Sequence, residues 1–455
     1  MNQGTVCDTL ILGGGAAGLY SALTAVRAGQ SVVLIEKTEY LGKKLSLTGN
    51  GRCNFTHQTV SARDYRTDDP EALEKSLNLY GVEETLRDFS SLGIYPVLKN
   101  EGYYPASFQA SAVVSLLTAE LEKKDRGACT ILRNRQVKGI EKTENGFRVR
   151  LLDLTAKNRS KATSGLYGRR VIMAMGGASY PKTGSNGDGY YYLKKLGHSI
   201  DEPLPALTPL KVENYDSDLF GVRQSGSFWL ESSGQKILSS SGELQFTKTG
   251  LSGIAIFQLS MEAVPLIKEG EKPRIHCDFF PDLTAEDLAR YLLRLCENAD
   301  PDMDLSILLS GLLQKSLSNH VLKRLGLGRI KVRDLFSGEI TSQASSPGKS
   351  SLKTAAAEDR SRKKSLTADI AEALKDLTFS INGYENFSQA QTTRGGVLLS
   401  EIHPETMESR LCPGLYFAGE IVNVNGFCGG YNLQWAWTSG HLAGFGKSNE
   451  KKVKS

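Results

Sequence analysis

Three glycines stand at Gly13-x-Gly15-x-x-Gly18, inside the run "LILGGGAAGLYSAL". Between an apolar strand and a helix, this spacing has a definite chemical use. Gly13 permits a tight turn, Gly15 lets a pyrophosphate approach the backbone, and Gly18 lets helix and strand pack closely. The free N–H groups and the positive end of the helix then receive the phosphates. Glu36 ends the next strand, where a carboxylate can accept hydrogen bonds from ribose hydroxyls. It would repel a 2′-phosphate, which disfavours NADP at this position.

Three further stretches carry polar chemistry. "KKLSLTGNGRCNFTH" (Lys43–His57) is a loop of glycines, amides and basic residues directly after the acid-ended strand. Lys44 and Arg52 can face phosphates, and Asn54 can bond the edge of a heterocycle. Cys53 invites a nucleophile reading, but nothing in the sequence supplies its base, and His57 reads as a surface histidine. "VIMAMGGASYPKTGSNGDGYYYLKKLGH" (Val171–His198) ends a hydrophobic strand in Met175-Gly176-Gly177, so the backbone must pass something closely there. Ligands of doubly wound sheets sit at that end of the strands. In "GLYFAGEIVNVNGFCGGYNLQWAWTSGHLAG" (Gly414–Gly444), a short strand ends at Gly419–Glu420. Gly429 and Gly430 then precede an apolar helix from about Tyr431 to Ala443, with no charged residue between Ile421 and Gly440. Two glycines make that helix N-terminus approachable, so it can stabilise negative charge. Trp435 and Trp437 cannot point the same way on a helix, so at least one packs the core.

Elements must position these groups. Thr5–Leu12, Ala16–Ala28 and Ser31–Ile35 read as strand, helix and strand, a β-α-β unit. Pro70–Leu92 and Gln109–Lys124 read as helices. Short strands around Thr130–Leu132, Gln136–Ile140, Phe147–Leu152 and Arg170–Ala174 suggest a small antiparallel element that returns to the main sheet. "PLPALTPL" (Pro203–Leu210) reads as a linker. Short strands follow to about Lys272, then Leu-rich helices over Asp282–Leu327, then a polar stretch at Ser337–Ser365 expected to be mobile. The style of the first domain then returns. The expected organisation is one discontinuous domain, 1–205 and 374–446, around an insertion at 206–373. The insertion is β-rich over 206–280 and helical over 281–330, and 447–455 is a basic tail.

The totals fit that organisation. The chain has 455 residues, with 40% hydrophobic, 23% charged and 46 glycines, enough for two or three domains. The charge of +5 sits largely in Arg360–Lys364 and Lys447–Lys454, which read as solvated segments rather than a nucleic-acid patch. Seven cysteines lack CxxC or metal spacing, so no metal is expected and a reducing cytoplasm is favoured. No signal peptide and no membrane span are expected.

Together, the Gly13–Gly18 turn with Glu36, "GKKLSLTGNGRCNFTH", "AMGGASYPKTGSNGDGY" and "TMESRLCPGLYFAGEIVNVNGFCGGYNLQWAWTSG" resemble a family of bacterial FAD-binding oxidoreductases. Its members are described as aminoacetone-oxidase-like, and it includes the flavoprotein reductases of bile-acid 7-dehydroxylation. "ALTPL" and "GELQFTKTGLSG" match the family's inserted domain. The resemblance implies an α/β fold, a two-dinucleotide-binding-type FAD (Rossmann-like) domain with an inserted β-rich plus helical domain. It also implies non-covalent FAD. Its pyrophosphate would lie on Gly13, Gly15, Ala16, Ala17 and Gly18, and its adenosine ribose on Glu36. Val137 would meet the adenine side through its backbone. Gly51, Arg52, Cys53 and Asn54 would run along the cofactor, with Lys44 and Gly176 beside it. Gly419, Glu420 and the Asn432–Leu433 amides would take the ribityl and isoalloxazine end. The chain departs from the family's common residues at Met175, Lys248, Ile254, Asn423 and Asn425.

Three functions remain open. The first is a reductase that passes hydride from NAD(P)H through flavin N5 to an enone of a small hydrophobic, 3-oxo-steroid-like substrate. Its proton donor would be Tyr104, Tyr180, His198 or Tyr431. The second is an oxidase of a small amine or hydroxy substrate using oxygen. The third is a non-catalytic flavin-binding or RNA-modifying accessory protein. A second strand–GxGxxG–helix unit for a nicotinamide is missing, because "GLGR" at Gly326–Arg329 follows a helical pattern. Either NAD(P)H docks transiently over the flavin, which is the expected reductant, or another protein supplies the electrons, or oxygen is the acceptor.

Overall fold

The computed structural model describes residues 6–123, 129–156, 163–335 and 366–446. The stretch 337–365 and the tail 447–455 lie outside the described residues. The chain divides into two units, Met1–Ala206 with Asn386–Ser455, and Leu207–Glu385.

The first unit is built on a seven-stranded sheet. Its parallel part runs in the order Cys129–Leu132, Val32–Ile35, Val6–Leu12, Thr163–Met173, with Leu415–Phe417 parallel to the end of the last strand. Thr163–Met173 serves two roles. Its first half pairs antiparallel with Gly146–Asp153, which pairs in turn with Arg135–Thr143. Its second half is buried between Val6–Leu12 and Leu415–Phe417. The parallel strands are continuous runs of Val, Ile and Leu because both faces are covered. The ladder continues one residue past the strand ends: Gly13 donates to Ile35, Ala174 to Leu12, Ala418 to Met173 and Glu36 to Leu132. All these turns therefore leave one edge of the sheet together.

Two helices cover the sheet beside that edge. Ala16–Arg27 follows the glycine turn. The C-terminal helix, Tyr431–Phe445, is buried almost all round rather than on one stripe, as expected of a helix inside the molecule. Its glycines explain how it lies against the first helix. A Cβ on Gly440 would stand 2.9 Å from the Ala17 carbonyl oxygen, and one on Gly444 would stand 2.5 Å from that of Ser21. Only hydrogen at these positions lets the two backbones come so close.

The second unit contains a closed six-stranded barrel, ordered Leu210–Val212, Gly250–Ser252, Gln235–Phe246, Arg223–Ser232, Arg274–Asp278, Leu377–Tyr384. Helix Ile254–Lys268 buries Ala255, Ile256, Leu259, Ala263 and Val264, and Ala285–Glu297 and Lys315–Arg324 follow.

Three sequence expectations need correction. Residues 374–385 belong to the second unit, because Leu377–Tyr384 is the strand that closes the barrel. "PLPALTPL" is not a linker: Ile200–Ala206 pairs with Thr392–Val397, and an irregularity between Asp201 and Leu204 accommodates Pro203, which has no N–H to give. Pro70–Leu92 is two helices, Pro70–Leu79 and Val82–Ser91, because Gly81 starts a new one, where its N–H donates to Glu84 at 3.0 Å.

Helix propensity alone predicts that Gly444→Ala stabilises the helix by about 1 kcal/mol. The 2.5 Å approach to a backbone carbonyl, which cannot swing away, reverses the sign. We expect Gly444→Ala to destabilise by about 1–3 kcal/mol, read as a lower urea midpoint. A midpoint at or above that of wild type would refute the close-approach account.

Candidate functional site

At the glycine turn, each glycine has a separate cause. A Cβ on Gly18 would collide with the Gly13 carbonyl oxygen, and one on Gly13 would press into the Ala174 backbone. Gly15 is different. Nothing lies within 4 Å of where its Cβ would be, and it starts the first helix without a side-chain cap or an acidic first turn. Packing explains Gly13 and Gly18. The open space at Gly15 is a cradle beside the uncapped N–H groups of Ala16 and Ala17.

Glu36 sits beside this cradle. Its Oε2 accepts from the Gly14 N–H and its Oε1 from that of Thr38, both at 2.8 Å. Each oxygen keeps a second acceptor position. Backbone bonds Arg135 to Glu36 and Asn134 to Thr38 bring Arg135–Thr143 to the same end. Val137 lies in that strand at a register shift, and its carbonyl accepts from the Tyr192 hydroxyl at 2.8 Å.

The loop after Leu45–Leu47 winds through left-handed conformations at Gly49, Asn50, Gly51 and Cys53. Two non-glycine residues at φ 54° and 59° are unusual, and such strain concentrates at functional sites. Cys53 is fully buried, and burial pushes its thiol up to about 12, so it is no nucleophile. Arg52 is exposed. Asn54 presents a buried side-chain oxygen with no partner, close to Gly430.

Lys44 does not stand free to face phosphates. Its ammonium is 2.6 Å from Glu420, whose other oxygen accepts from the Thr393 N–H at 2.8 Å. The Thr393 hydroxyl in turn accepts from the N–H groups of Ala178 and Ser179, next to Gly176 and Gly177. Lys44, Gly176 and Glu420 are thus one constellation, and the sequence reading missed Thr393. The signal was "TTRGG" at Thr392–Gly396, where two hydroxyls precede two glycines as the chain returns to the first unit.

At the C-terminal helix, Gly429 and Gly430 have another reason than the approach of a ring. Both have positive φ, and a Cβ on Gly430 would stand 2.8 Å from the Thr56 carbonyl oxygen. They let the helix start against the 54–57 segment. The helix has no side-chain cap and no acid in its first turn, so the N–H groups of Asn432 and Leu433 remain free of intrahelical bonds. The Asn432 side chain closes the preceding turn, with Gly426 on both its atoms. Gly419 packs on Ala17 and its carbonyl accepts from the Trp435 indole at 3.1 Å. Both tryptophans are core: the Trp437 indole donates to the Phe55 carbonyl at 2.8 Å.

Of the four proton-donor candidates, His198 is excluded by its surroundings. Its Nδ1 lies 2.9 Å from Glu401 and its Nε2 2.9 Å from the Ser409 hydroxyl. The trio looks like a hydrolytic triad, but the imidazole is sealed and Ser409 accepts from the N–H groups of Leu411 and Cys412. It is a buried staple. Tyr180 sits before a one-turn helix with left-handed backbone, and Tyr104 lies against Phe108. Tyr431, the first residue of the C-terminal helix, stacks on His57 at 4.6 Å, and its hydroxyl has no partner among the described residues. Burial, with Asp64 and Glu101, pushes that phenol up to about 12.

Open space at Gly15, the Glu36 carboxylate beside it, an orphaned amide oxygen and a second uncapped helix start are features that an extended dinucleotide would fit. They define an FAD-binding, Rossmann-type flavoprotein. The chain belongs to the family described as HI0933-like protein Rossmann domain, which matches residues 7–446. It is 34% identical over 95% of its length, and 97% of the relative's, to 3-dehydro-bile acid delta(4,6)-reductase of Clostridium scindens. It is 29% identical, over 95% and 96%, to ribosomal RNA dihydrouridine synthase of Escherichia coli K12. Among solved structures, a flavocytochrome c3 fumarate reductase aligns with 98% of this chain and 78% of its own at 15% identity, with a TM-score of 0.46. Among the described residues no helix is long and apolar enough to cross a membrane, and no group of His, Cys, Asp and Glu could hold a metal.

Two outcomes are expected. Gly15→Val should fold and melt like the wild-type chain stripped of FAD, since no atom lies within 4 Å of its Cβ, yet purify without flavin absorbance. Full FAD occupancy would count against the cradle. Burial holds the His198 imidazole below its usual 6.5, against the pull of Glu401. The unfolded chain therefore binds a proton first as pH falls through 6.5, so stability is lost below that value and retained above it. His198→Gln should flatten this acid loss by at most about 1.4 kcal/mol per pH unit, measured by urea unfolding across the acid range.

Proposed function

We propose that this protein is an FAD-dependent oxidoreductase that adds two hydrogens across a C=C bond of a small 3-oxo, steroid-like substrate, with NAD(P)H as transient reductant. The observation that carries this reading is the end-to-end likeness to a delta(4,6)-reductase. The name of the second relative describes the same bond change, since a dihydrouridine is a uridine with two added hydrogens. The bond change is common to both, while the substrates differ, and the higher identity favours the steroid class.

Bound FAD supplies hydride exchange at its N5. The chain's own residues do the rest. Gly13, Gly15, Ala16, Ala17 and Gly18 would hold the pyrophosphate and Glu36 the ribose. Gly176, Gly419 and the Lys44–Glu420–Thr393 constellation would hold the ribityl region, and the Gly51–Asn54 backbone would flank it. The uncapped N–H groups of Asn432 and Leu433 would favour negative charge at the ring end of the group. Of the donor candidates, Tyr431 is best placed to give the proton that completes saturation, because it borders those amides and stays protonated at neutral pH.

The test is anaerobic. NADH or NADPH added to the yellow protein should bleach the flavin, and a 3-oxo-4-ene steroid should restore it. Failure of both nucleotides would refute the reductant. Rapid reoxidation by air with stoichiometric peroxide would favour an oxidase. Reduction of uridines in ribosomal RNA, with no response to steroid, would replace the substrate. Tyr431→Phe should keep flavin reduction and slow the steroid step by about 10²- to 10⁴-fold.

A further inference from the structure

Between the strand Thr163–Met173 and the helix Asp188–Lys195 runs a glycine-rich turn, Pro181–Gly187, to which the proposed reaction gives no part. It lies against the ribose acid. A Cβ on Gly184 would stand 3.3 Å from the side chains of Lys37 and Thr38 and 3.7 Å from Glu36 Oε1. Any group that bonds this oxygen of Glu36 therefore meets the turn.

The two ends of the turn are fixed. The Tyr180 N–H donates to the Phe387 carbonyl at 3.0 Å, and the Gly187 N–H to that of Gly177 at 2.9 Å. The Ser185 hydroxyl donates to the same Gly177 carbonyl. The helix that follows buries Tyr190 and Leu193, and its Tyr192 hydroxyl holds the Val137 carbonyl. Gly184 and Gly187 both have positive φ, where glycine changes conformation at little steric cost. On the side of the ribose acid the ties are polar side chains. The Lys37 ammonium is 2.6 Å from Asn186 Oδ1 and 3.3 Å from the Asp188 carboxylate. A longer contact, 3.5 Å, joins the Lys43 ammonium to the Lys182 carbonyl. The side chains of Lys37 and Asp188 are 22% and 32% exposed, so water can replace each partner and the tie is reversible.

We propose that Pro181–Gly187 is a strap over the nucleotide end of the FAD site, latched by Lys37, and that its opening sets how fast the cofactor enters and leaves. The inference rests on the FAD reading of the site. Lys37 acts here through Asn186 and Asp188, as a positioning residue that touches no part of the cofactor. A barrier on the way in is also a barrier on the way out. The latch therefore sets both rates and leaves the affinity alone.

The probe is FAD itself, followed by flavin fluorescence as it binds the stripped full-length chain and as it leaves the loaded one. Lys37→Met keeps the aliphatic stem and removes the charge. It should speed uptake and release together, each by about tenfold, with Kd unchanged. Lys37→Arg should return both rates towards wild type. Asn186→Ala, which leaves Lys37 in place, should speed both rates in the same sense. Added salt should quicken release from the wild type and not from Lys37→Met. Melting curves of the stripped variants check the fold. Faster release with unchanged uptake would make Lys37 a contact of the nucleotide and overturn the strap. Unchanged rates in well-folded Lys37→Met and Asn186→Ala would overturn it as well. A wild-type chain that takes up no FAD would overturn the cofactor reading and the strap with it.

Discussion

The backbone-to-backbone approach of two helices, the first and the last of the described chain, sets the positions of the candidate site's elements in the first unit. Gly440 and Gly444 lie against Ala17, Ser21 and Thr24, and glycine in a helix interior costs about 0.5–1 kcal/mol each. The cost is offset because the approach fixes two helix N-termini relative to one sheet edge. Gly419 completes the arrangement. It touches Ala17, accepts from Trp435 and has its own N–H bonded to Ser439. A larger residue at any of these contacts would displace one terminus from the other.

From that helix pair the polar loop is suspended. Trp437 holds Phe55 by its carbonyl, and Gln434 accepts from the Thr56 hydroxyl while donating to Thr85 and Thr438. Residues with left-handed backbone at Asn50 and Cys53 persist because the surroundings over-determine them. Among the described residues, the side-chain oxygen of Asn54 is buried without a hydrogen-bond partner. In a folded protein such a group is expensive unless a bound molecule or water pairs with it.

Other polar residues of the same region have structural duties. Asn423 donates to Asp68, whose carboxylate also accepts from Leu399 and Ser400. An aspartate at 423 would set two carboxylates against each other, so the departure from the family's common residue follows from local charge. The His198–Glu401–Ser409 staple has the residue types and distances of a catalytic triad. Burial alone decides that it ties a loop and does no chemistry.

The sequence by itself determined what depends on near neighbours. The glycine turn, the acid-ended strand, the apolar runs of the parallel strands and the glycine-started C-terminal helix were legible, because φ preference, capping and hydrophobic period act within a few residues. So were the Gly13 and Gly18 roles, and the resemblance carried by four motifs. Only the tertiary structure decided which polar side chains face the site. Lys44 meets Glu420, and Thr393 meets Ala178 and Ser179, across hundreds of residues. Leu377–Tyr384 joins the barrel although its composition matches either unit. Partners so far apart in the chain leave no mark in local pattern. Whether a hydroxyl, an amide or an imidazole is free to act or already bonded depends on which distant group reaches it.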